Sequence, residues 1–522
     1  MEHELVRINK VLPEILKKTS PTFCLAKWHH VTMYLHLGET HSCYHPPPHE
    51  IPLDELKDNP SALHNTKQKK LERKQMLDGE KPSGCQYCWN VESLGDDYIS
   101  DRKQRTVSIY QSDPKRIDEI KSHRWDYNVN PEYIEVSFGN ACNFKCGYCH
   151  PRYSSKFLDE IRKNGQYQNM NTGKYDIDWF VKKLQEDEEQ NPYVKAWFDW
   201  WPTMSKTLNI LRITGGEPLI HGSTYRMLDL LNEKPLPHLE LNINTNLGVG
   251  HHLVDRFVNK LKPIIEKEKV KDFKLFTSID IWGEDAEYLR TGLDLQLFEK
   301  NLHKYLTGIE NSRMSLMITF NILCVVNFRS LLEKILEWRK KYNNPELFEK
   351  EYEGNMVQRI QFDTPYLKEP PHYDMNILTS DFLPYMESHL LFMEENKTDE
   401  SVGGGYGNGF DQLEIAKFKR VVDYMRNKIE NPLEKDEEYV KKGRADFYSF
   451  FTQYDKRRDQ DFYATFPEYH EFMELCKNEY KEQQKNKRPP RELNPNLGPD
   501  RIKMKRNIEE LRAKIRKKRK SG

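Results

Sequence analysis

Two rhythms of apolar and polar positions alternate between residues 131 and 368. Tyr133-Ile-Glu-Val-Ser-Phe138 alternates with a period of two, the pattern of a strand with one buried face. Residues 207–213, 239–244, 273–279, 317–323 and 359–362 are strand-like runs of the same kind. Between most of them the period lengthens. Met227-Leu-Asp-Leu-Leu231 and Leu331-Leu-Glu-Lys-Ile-Leu-Glu-Trp338 carry apolar stripes at helical spacing. Repeated strand–helix units predict an α/β fold, with a parallel sheet and helices outside it. Six strands suit a partial (β/α)6 barrel better than a closed one.

The flanks have other rhythms. Residues 1–100 predict a small Cys- and His-bearing module. In it, residues 31–37 alternate and Gly38-Glu-Thr40 offers a hairpin turn, and a charged helix follows over 67–77, ended by Pro82-Ser-Gly84. Residues 101–130 are polar and read as a linker. Residues 369–480 read as mostly helical, with a clear helical period over 413–427. The Gly403-Gly-Gly-Tyr-Gly-Asn-Gly409 stretch is no phosphate loop, because no strand precedes it and no Lys-Ser/Thr follows. The last segment, 481–522, reads as a Pro-broken linker and a basic helix over 507–520. No internal repeat is found.

Composition narrows the class. The chain has 522 residues, with 37% hydrophobic, 31% charged and 12% aromatic residues. Aromatic content at that level excludes a disordered chain. No apolar run reaches membrane-spanning length, and the charged start, MEHELVRINK, is no secretory signal. A cytoplasmic protein without a membrane partner is expected. Net charge is zero, but residues 481–522 hold 16 Lys/Arg against 5 Asp/Glu. Such a tail attracts nucleic-acid phosphates or an acidic partner, or is simply solvated.

Nine cysteines, an odd number, argue against a disulfide framework in a chain with no export signal. Five fall in two tight groups, Cys85/Cys88 and Cys142/Cys146/Cys149. Clustered thiols in a reducing compartment point to metal. Cys324 and Cys476 lie in an apolar strand and a helix and read as packing residues.

The sharpest signal is Ala141-Cys-Asn-Phe-Lys-Cys-Gly-Tyr-Cys-His150, a C-x3-C-x2-C spacing directly after the first barrel strand. Three thiolates on one tight loop hold three corners of a [4Fe–4S] cluster and leave the fourth iron open to a ligand; a zinc site is the alternative. Here the chain resembles the radical S-adenosylmethionine (radical SAM) superfamily. In that family the open iron chelates S-adenosylmethionine, and one electron splits the sulfonium to a 5′-deoxyadenosyl radical that takes hydrogen from the substrate. The resemblance implies that Cys142, Cys146 and Cys149 are the catalytic cluster ligands, with Tyr148 shielding the cluster. It makes Gly215, Gly216, Glu217 and Pro218, at the end of the second strand, the cosubstrate cradle. Ser278 (in Ser278-Ile-Asp280) and Arg290 (in Arg290-Thr-Gly292) answer the family's carboxylate-binding positions. Asn244-Thr-Asn246 resembles its polar strand end, and Asn327 falls near its ribose contacts. All lie at strand C-terminal ends, where a barrel builds its site. The chain departs from the pattern in the stretch of about 65 residues between Cys149 and Gly215, where Trp197-Phe-Asp-Trp-Trp201 reads as a packing collar or else a lid, and in the sixth strand, which has no adenine-contact motif.

A second cysteine site lies in front. Cys24, Gly38, Cys43, Leu63-His-Asn65, Arg73, Met76-Leu-Asp-Gly-Glu80, Pro82, Cys85 and Cys88 resemble a twitch/SPASM module, the auxiliary iron–sulfur unit of some radical enzymes. The resemblance implies that Cys24, Cys43, Cys85 and Cys88 fully ligate a second cluster that relays an electron from the substrate radical. Four such thiolates also suit a structural zinc. The six histidines between His29 and His49 read as neutral, partly exposed hairpin residues rather than ligands. Such modules normally follow the barrel; this one precedes it.

The resemblance implies an enzyme acting on a peptide or protein side chain, served by a flavodoxin- or ferredoxin-like one-electron reductant. Nucleic acid is the alternative substrate, and a zinc-stapled binding protein without redox chemistry is the rival outside the enzymes. In 369–480, Asp455-Lys-Arg-Arg458 with Asp461, Phe462 and Phe466 reads as a surface salt-bridge cluster, or as a substrate contact at the barrel mouth.

Overall fold

The computed structural model describes residues 2–95, 98–172, 177–310, 312–343, 358–398, 408–430 and 434–486. The basic helix expected over 507–520, and most of the glycine run at 403–409, lie outside them.

Three strands from the front, β1 (His30–Tyr34), β2 (Glu39–His41) and β3 (His49–Glu50), share one sheet with six from the middle. The six are β4 (Tyr133–Ser137), β5 (Ile210–Thr214), β6 (Leu236–Thr245), β7 (Val270–Ser278), β8 (Met314–Met317) and β9 (Ile360–Asp363). The order is β3-β2-β1-β4-β5-β6-β7-β8-β9, and β4 to β9 are all parallel. The helices Gly222–Glu233, His251–Glu266, Leu295–Gly308 and Phe328–Tyr342 make the crossovers from β5 to β9. This is the partial (β/α)6 barrel that the strand–helix rhythm predicts.

The period of two explains the sheet. Ile134, Leu211, Leu241 and Phe273 stand in register across four strands, and Val136, Ile213, Ile243 and Leu275 form a second row; all eight are buried. Each such side chain contributes about 1.5–3 kcal/mol by leaving water. The alternate row is polar: Glu135, Arg212, Asn242 and Lys274 stand in register on the other face. Arg212 Nε donates to Asn244 Oδ1 at 3.0 Å, and Lys274 Nζ to Gln361 Oε1 at 2.6 Å. Burial, then Arg313, pushes the Lys274 ammonium down to about 8.

Two elements differ from expectation. The fifth barrel strand sits earlier, at Met314–Met317, and Ile322–Cys324 forms a 3-10 turn. Asn321 breaks the strand, its Oδ1 accepting from Leu323 N at 3.1 Å. Cys324 therefore lies in a turn, buried as a packing residue. Residues 101–130 form the helices Asp101–Ser112 and Lys115–Ser122 rather than a simple linker. Their Val107, Ile109, Ile117 and Ile120 share a separate core with Ile8, Trp28, Met76 and Trp89. β1 pairs parallel with β4 from His30↔Tyr133 to Tyr34↔Ser137, so the front unit extends the barrel sheet.

The helices Leu383–Glu395, Gln412–Glu430, Glu434–Arg458 and His470–Asn486 bear out the helical reading of the C-terminal region. Their Phe418, Phe450, Tyr454 and Phe472 belong to the same core as the barrel. The tryptophan run lies in the helix Pro192–Met204, with Trp197, Trp200 and Trp201 buried. Among the described residues no helix is long and apolar enough to cross a membrane.

Candidate active site

The loop after β4 carries the three clustered cysteines, and two straps fix it. On one side the β4–β5 pairing continues past the strands: Gly216 N donates to Gly139 O at 3.1 Å and Glu217 N to Ala141 O at 2.8 Å. That contact requires the two glycines. A Cβ on Gly216 would stand 2.2 Å from Ala141 O, and one on Gly215, whose φ is +122°, 2.6 Å from Ser137 Oγ. On the other side Lys145 N donates to Thr291 O at 3.0 Å and Gly147 N to Leu289 O at 2.9 Å, so the Arg290-Thr-Gly292 segment lies along the loop.

Cys142, Cys146, Cys149, Tyr148, Gly215, Gly216, Pro218, Ser278 and Arg290 all line one cavity of about 220 Å³ at the C-terminal ends of the strands. The family resemblance nominated each of them; the fold brings them together. Thr319, Asn244 and Asn246 complete its polar wall.

Glu217 stands apart. It is fully buried, and its carboxylate accepts from Leu219 N at 2.9 Å, Thr245 Oγ1 at 2.7 Å and Asn246 N at 2.6 Å. Burial raises its pKa against those donors. The side chain ties β5 to the end of β6, and it does not line the cavity. Asn327 also lies outside the cavity lining, donating to Asp285 Oδ2 at 3.0 Å.

Arg290 is held by Asp280. Its Nε and Nη2 reach the two carboxylate oxygens at 2.8 and 3.1 Å, a bidentate pair. Asp280 also accepts from Tyr148 Oη at 2.7 Å and Thr319 N at 2.8 Å. So fixed, Arg290 Nη1 stands 3.7 Å from Cys146 Sγ. Burial first, then the Cys146 thiolate, pushes the Cys149 thiol up to about 12; burial raises Cys146 too, with Arg290 opposing. Free thiols here stay protonated near neutrality, so metal binding displaces their protons.

The donor set fits a [4Fe–4S] cluster. Three cysteines and no fourth Cys, His, Asp or Glu line the cavity, which leaves one iron without a protein ligand. Among the described residues no three His, Cys, Asp or Glu side chains stand close enough to share one metal ion. A four-iron cube does not need that, because each thiolate takes its own iron.

No family model matches the chain. A GTP 3',8-cyclase of Campylobacter lari is 24% identical over 199 residues, which make up 37% of this chain and 45% of that protein, so the match spans less than half of the relative's length. The solved structure of Streptococcus suis SuiB bound to precursor peptide SuiA covers 70% of each chain at 13% identity and a TM-score of 0.29. The curated match supports the resemblance to the radical SAM superfamily.

The four front cysteines also converge. Cys24, Cys43, Cys85 and Cys88 line one small cavity with Lys27, His45, Asp101, Arg102 and Arg105. Burial pushes the Cys43 thiol up to about 12 and that of Cys88 to about 11. Lys27 Nζ is paired with Glu72 at 2.6 Å, and the ammonium is raised against burial by Cys85 and Glu72. The cavity holds about 20 Å³, room for one water-sized body, so a four-iron cube would need the thiols to turn outward. His29, His36 and His41 are buried, not partly exposed as expected. His36 and His41 are held by backbone carbonyls of Arg152 and Cys43.

The two cysteine sites lie at opposite ends of the strands. Cys24 precedes β1, and Cys43 lies two residues past His41, which pairs with Thr32 at the middle of β1 as β2 runs back toward the start of β1. The loop of Cys142, Cys146 and Cys149 follows Ser137, which pairs with Tyr34 at the end of β1. Four steps of about 3.3 Å separate those ends by about 13 Å along the sheet.

Sequence reasoning missed two sets of residues. Arg102 donates to both oxygens of Glu92, at 2.9 and 2.7 Å, and stacks 4.8 Å over Trp89 beside the front site. Asp455 and Arg458 are not part of a surface cluster. Asp455 accepts from Tyr288 Oη at 2.5 Å, and Arg458 is buried against the catalytic loop. Only a charged side chain at the apolar phase of the 434–458 helix could have signalled this.

Proposed function

We propose that this protein is a radical SAM enzyme that cleaves S-adenosylmethionine reductively and takes hydrogen from a peptide or protein side chain. The observation that carries the reading is the single cavity in which three cysteines meet two close-packed glycines, Ser278 and a fixed arginine. When bound, the cluster supplies the electron that generates the 5′-deoxyadenosyl radical. This chain's residues do the rest. Cys142, Cys146 and Cys149 hold the cluster. Arg290, oriented by Asp280, places its guanidinium beside the Cys146 sulfur. Gly215 and Gly216 bare the backbone toward the cosubstrate, and Ser278 offers a hydroxyl to it. The Tyr148 ring, with Arg290 5.5 Å from its centre, keeps water from one side.

The peptide substrate rests on the likeness of the front module to twitch/SPASM units. In this reading Cys24, Cys43, Cys85 and Cys88 hold an auxiliary iron–sulfur cluster, and a flavodoxin- or ferredoxin-like protein supplies electrons. A structural zinc is the second reading for the front site, favoured by its small cavity, and it requires the four thiols to draw together onto one ion. A nucleotide or nucleic-acid substrate is the second reading for the reaction, favoured by the curated relative, which is named for GTP.

The test is anaerobic purification of the wild type beside a Cys142/Cys146/Cys149 triple-alanine variant, with iron, sulfide and zinc analysis and assay of 5′-deoxyadenosine after reduction. About eight iron falling to about four supports two four-iron clusters; about four iron plus one zinc, with the variant losing its iron, supports the zinc staple. A triple variant that still makes 5′-deoxyadenosine defeats the catalytic assignment.

A further inference from the structure

A buried guanidinium of the C-terminal region reaches the catalytic loop. Arg458 ends the helix Glu434–Arg458, and its side chain is fully buried. Its Nε and Nη2 donate to the two carboxylate oxygens of Glu160 at 2.9 and 3.3 Å. Its Nη1 donates to Thr291 Oγ1 at 3.1 Å and to the backbone carbonyl of Lys145, which lies between Cys142 and Cys146. Its guanidinium stacks 3.9 Å over the Tyr454 ring, and Tyr454 Oη donates to Tyr288 O at 2.7 Å. Gly147, also in the loop, faces this layer: a Cβ there would meet Tyr373 Oη at 2.1 Å and Tyr454 at 3.0 Å.

A buried ion pair is a weak source of stability, because desolvation offsets most of its attraction and apolar replacements are often as stable. Its placement calls for another reason. One arginine reaches both the loop itself, at the Lys145 carbonyl, and the strip that lies along it, at Thr291. It also sets a positive charge near thiolates that share an anionic cluster, in a medium where charges are poorly screened. Arg290 does the same from the Cys146 side. The charges facing Arg458 are Glu160, which is also paired with Lys145 at 3.0 Å, and Lys145 itself.

We propose that Arg458 is a positioning residue for the catalytic cluster: it clamps the loop through the Lys145 carbonyl and, balanced by Glu160, sets the charge that tunes the cluster's potential. This rests on the cluster reading above. The C-terminal helical region would then be part of the cofactor's housing rather than an appendage.

Charge and structural damage separate by sign. Arg458→Met removes a positive charge, and Glu160→Gln leaves that charge unbalanced. Wild type, Arg458→Lys, Arg458→Met and Glu160→Gln are reconstituted anaerobically. Iron per chain, iron loss to a chelator and the midpoint potential of the electron paramagnetic resonance signal are measured, with thermal unfolding alongside. Arg458→Met is expected to shift the potential more negative and lose iron several-fold faster. Glu160→Gln is expected to shift it less negative. Arg458→Lys keeps the charge but not the fork, so its potential stays near wild type while iron loss still accelerates. If Arg458→Met does not fold, the Glu160→Gln shift and the Arg458→Lys divergence still decide. Potentials that stay put, or shift the same way in both charge variants, overturn the proposal while leaving the cluster reading intact. Wild type that binds no iron overturns both.

Discussion

At Gly216 an added methyl would stand 2.2 Å from a backbone oxygen of the cysteine loop, and backbone cannot swing aside as a long side chain can. Gly216→Ala is therefore expected to lift the loop from β5. It should lose most of its iron after reconstitution and bind S-adenosylmethionine at least about tenfold more weakly, a cost of about 1.4 kcal/mol. Iron analysis and calorimetry check this; wild-type values for both would mean the loop tolerates the displacement. Residue identity at this scale was legible where chemistry is local. Three cysteines within eight positions meet on one loop, since no fold is needed to bring them near each other. Glu217 was less legible. The motif marks it as cosubstrate-binding, yet its three donors come from its own turn and from β6, and only the packed β5–β6 pair reveals the tie.

At the scale of elements, the strands followed from their period of two, because alternate residues of a parallel strand must face helices on one side and the barrel interior on the other. The polar row has a consequence for pH. Lys274 sits at about 8 in the folded protein against an ordinary 10.5. Between these values the folded chain has lost this proton while the unfolded chain keeps it, so this group makes stability rise as pH goes from about 8 to about 10.5. Below about 8 both states carry the proton and the contribution is flat. Denaturant unfolding at several pH values should show that rise diminished in Lys274→Met, and an unchanged slope would place the titration elsewhere. The helices over 101–122 were missed because four apolar side chains on two polar helices give almost no periodic signal. They are helices because Ser100 caps the first, its Oγ accepting from Lys103 N at 3.3 Å, and because Trp28 and Trp89 cover their apolar side.

At the scale of the molecule, the sheet separates the two cysteine sites. The front site does not line the cavity of Cys142, Cys146 and Cys149, so any electron it takes from a radical there must cross the intervening sheet. A Cys85→Ala/Cys88→Ala variant is expected to melt at lower temperature, because metal binding contributes to folding. It is also expected to keep at least half of the 5′-deoxyadenosine formed without substrate. Thermal unfolding and chromatography of the product check this. Loss of cleavage in a folded variant would instead make the front site the entry point for electrons.

By itself the sequence determined what depends on neighbours along the chain: the strand and helix periods, the three-cysteine loop, the close-packed glycines, and the pairing of cysteines in front. These properties are set within a few residues, where side-chain chemistry and backbone sterics act directly. Tertiary structure alone decided what depends on distance in space. It placed the front cysteines at the opposite end of the sheet, turned Glu217 inward, and brought Arg458 beside a loop more than 300 residues earlier in the chain. Buried charges of this kind are invisible to periodicity, because a charged residue reads as surface until the partner that neutralises it is folded against it.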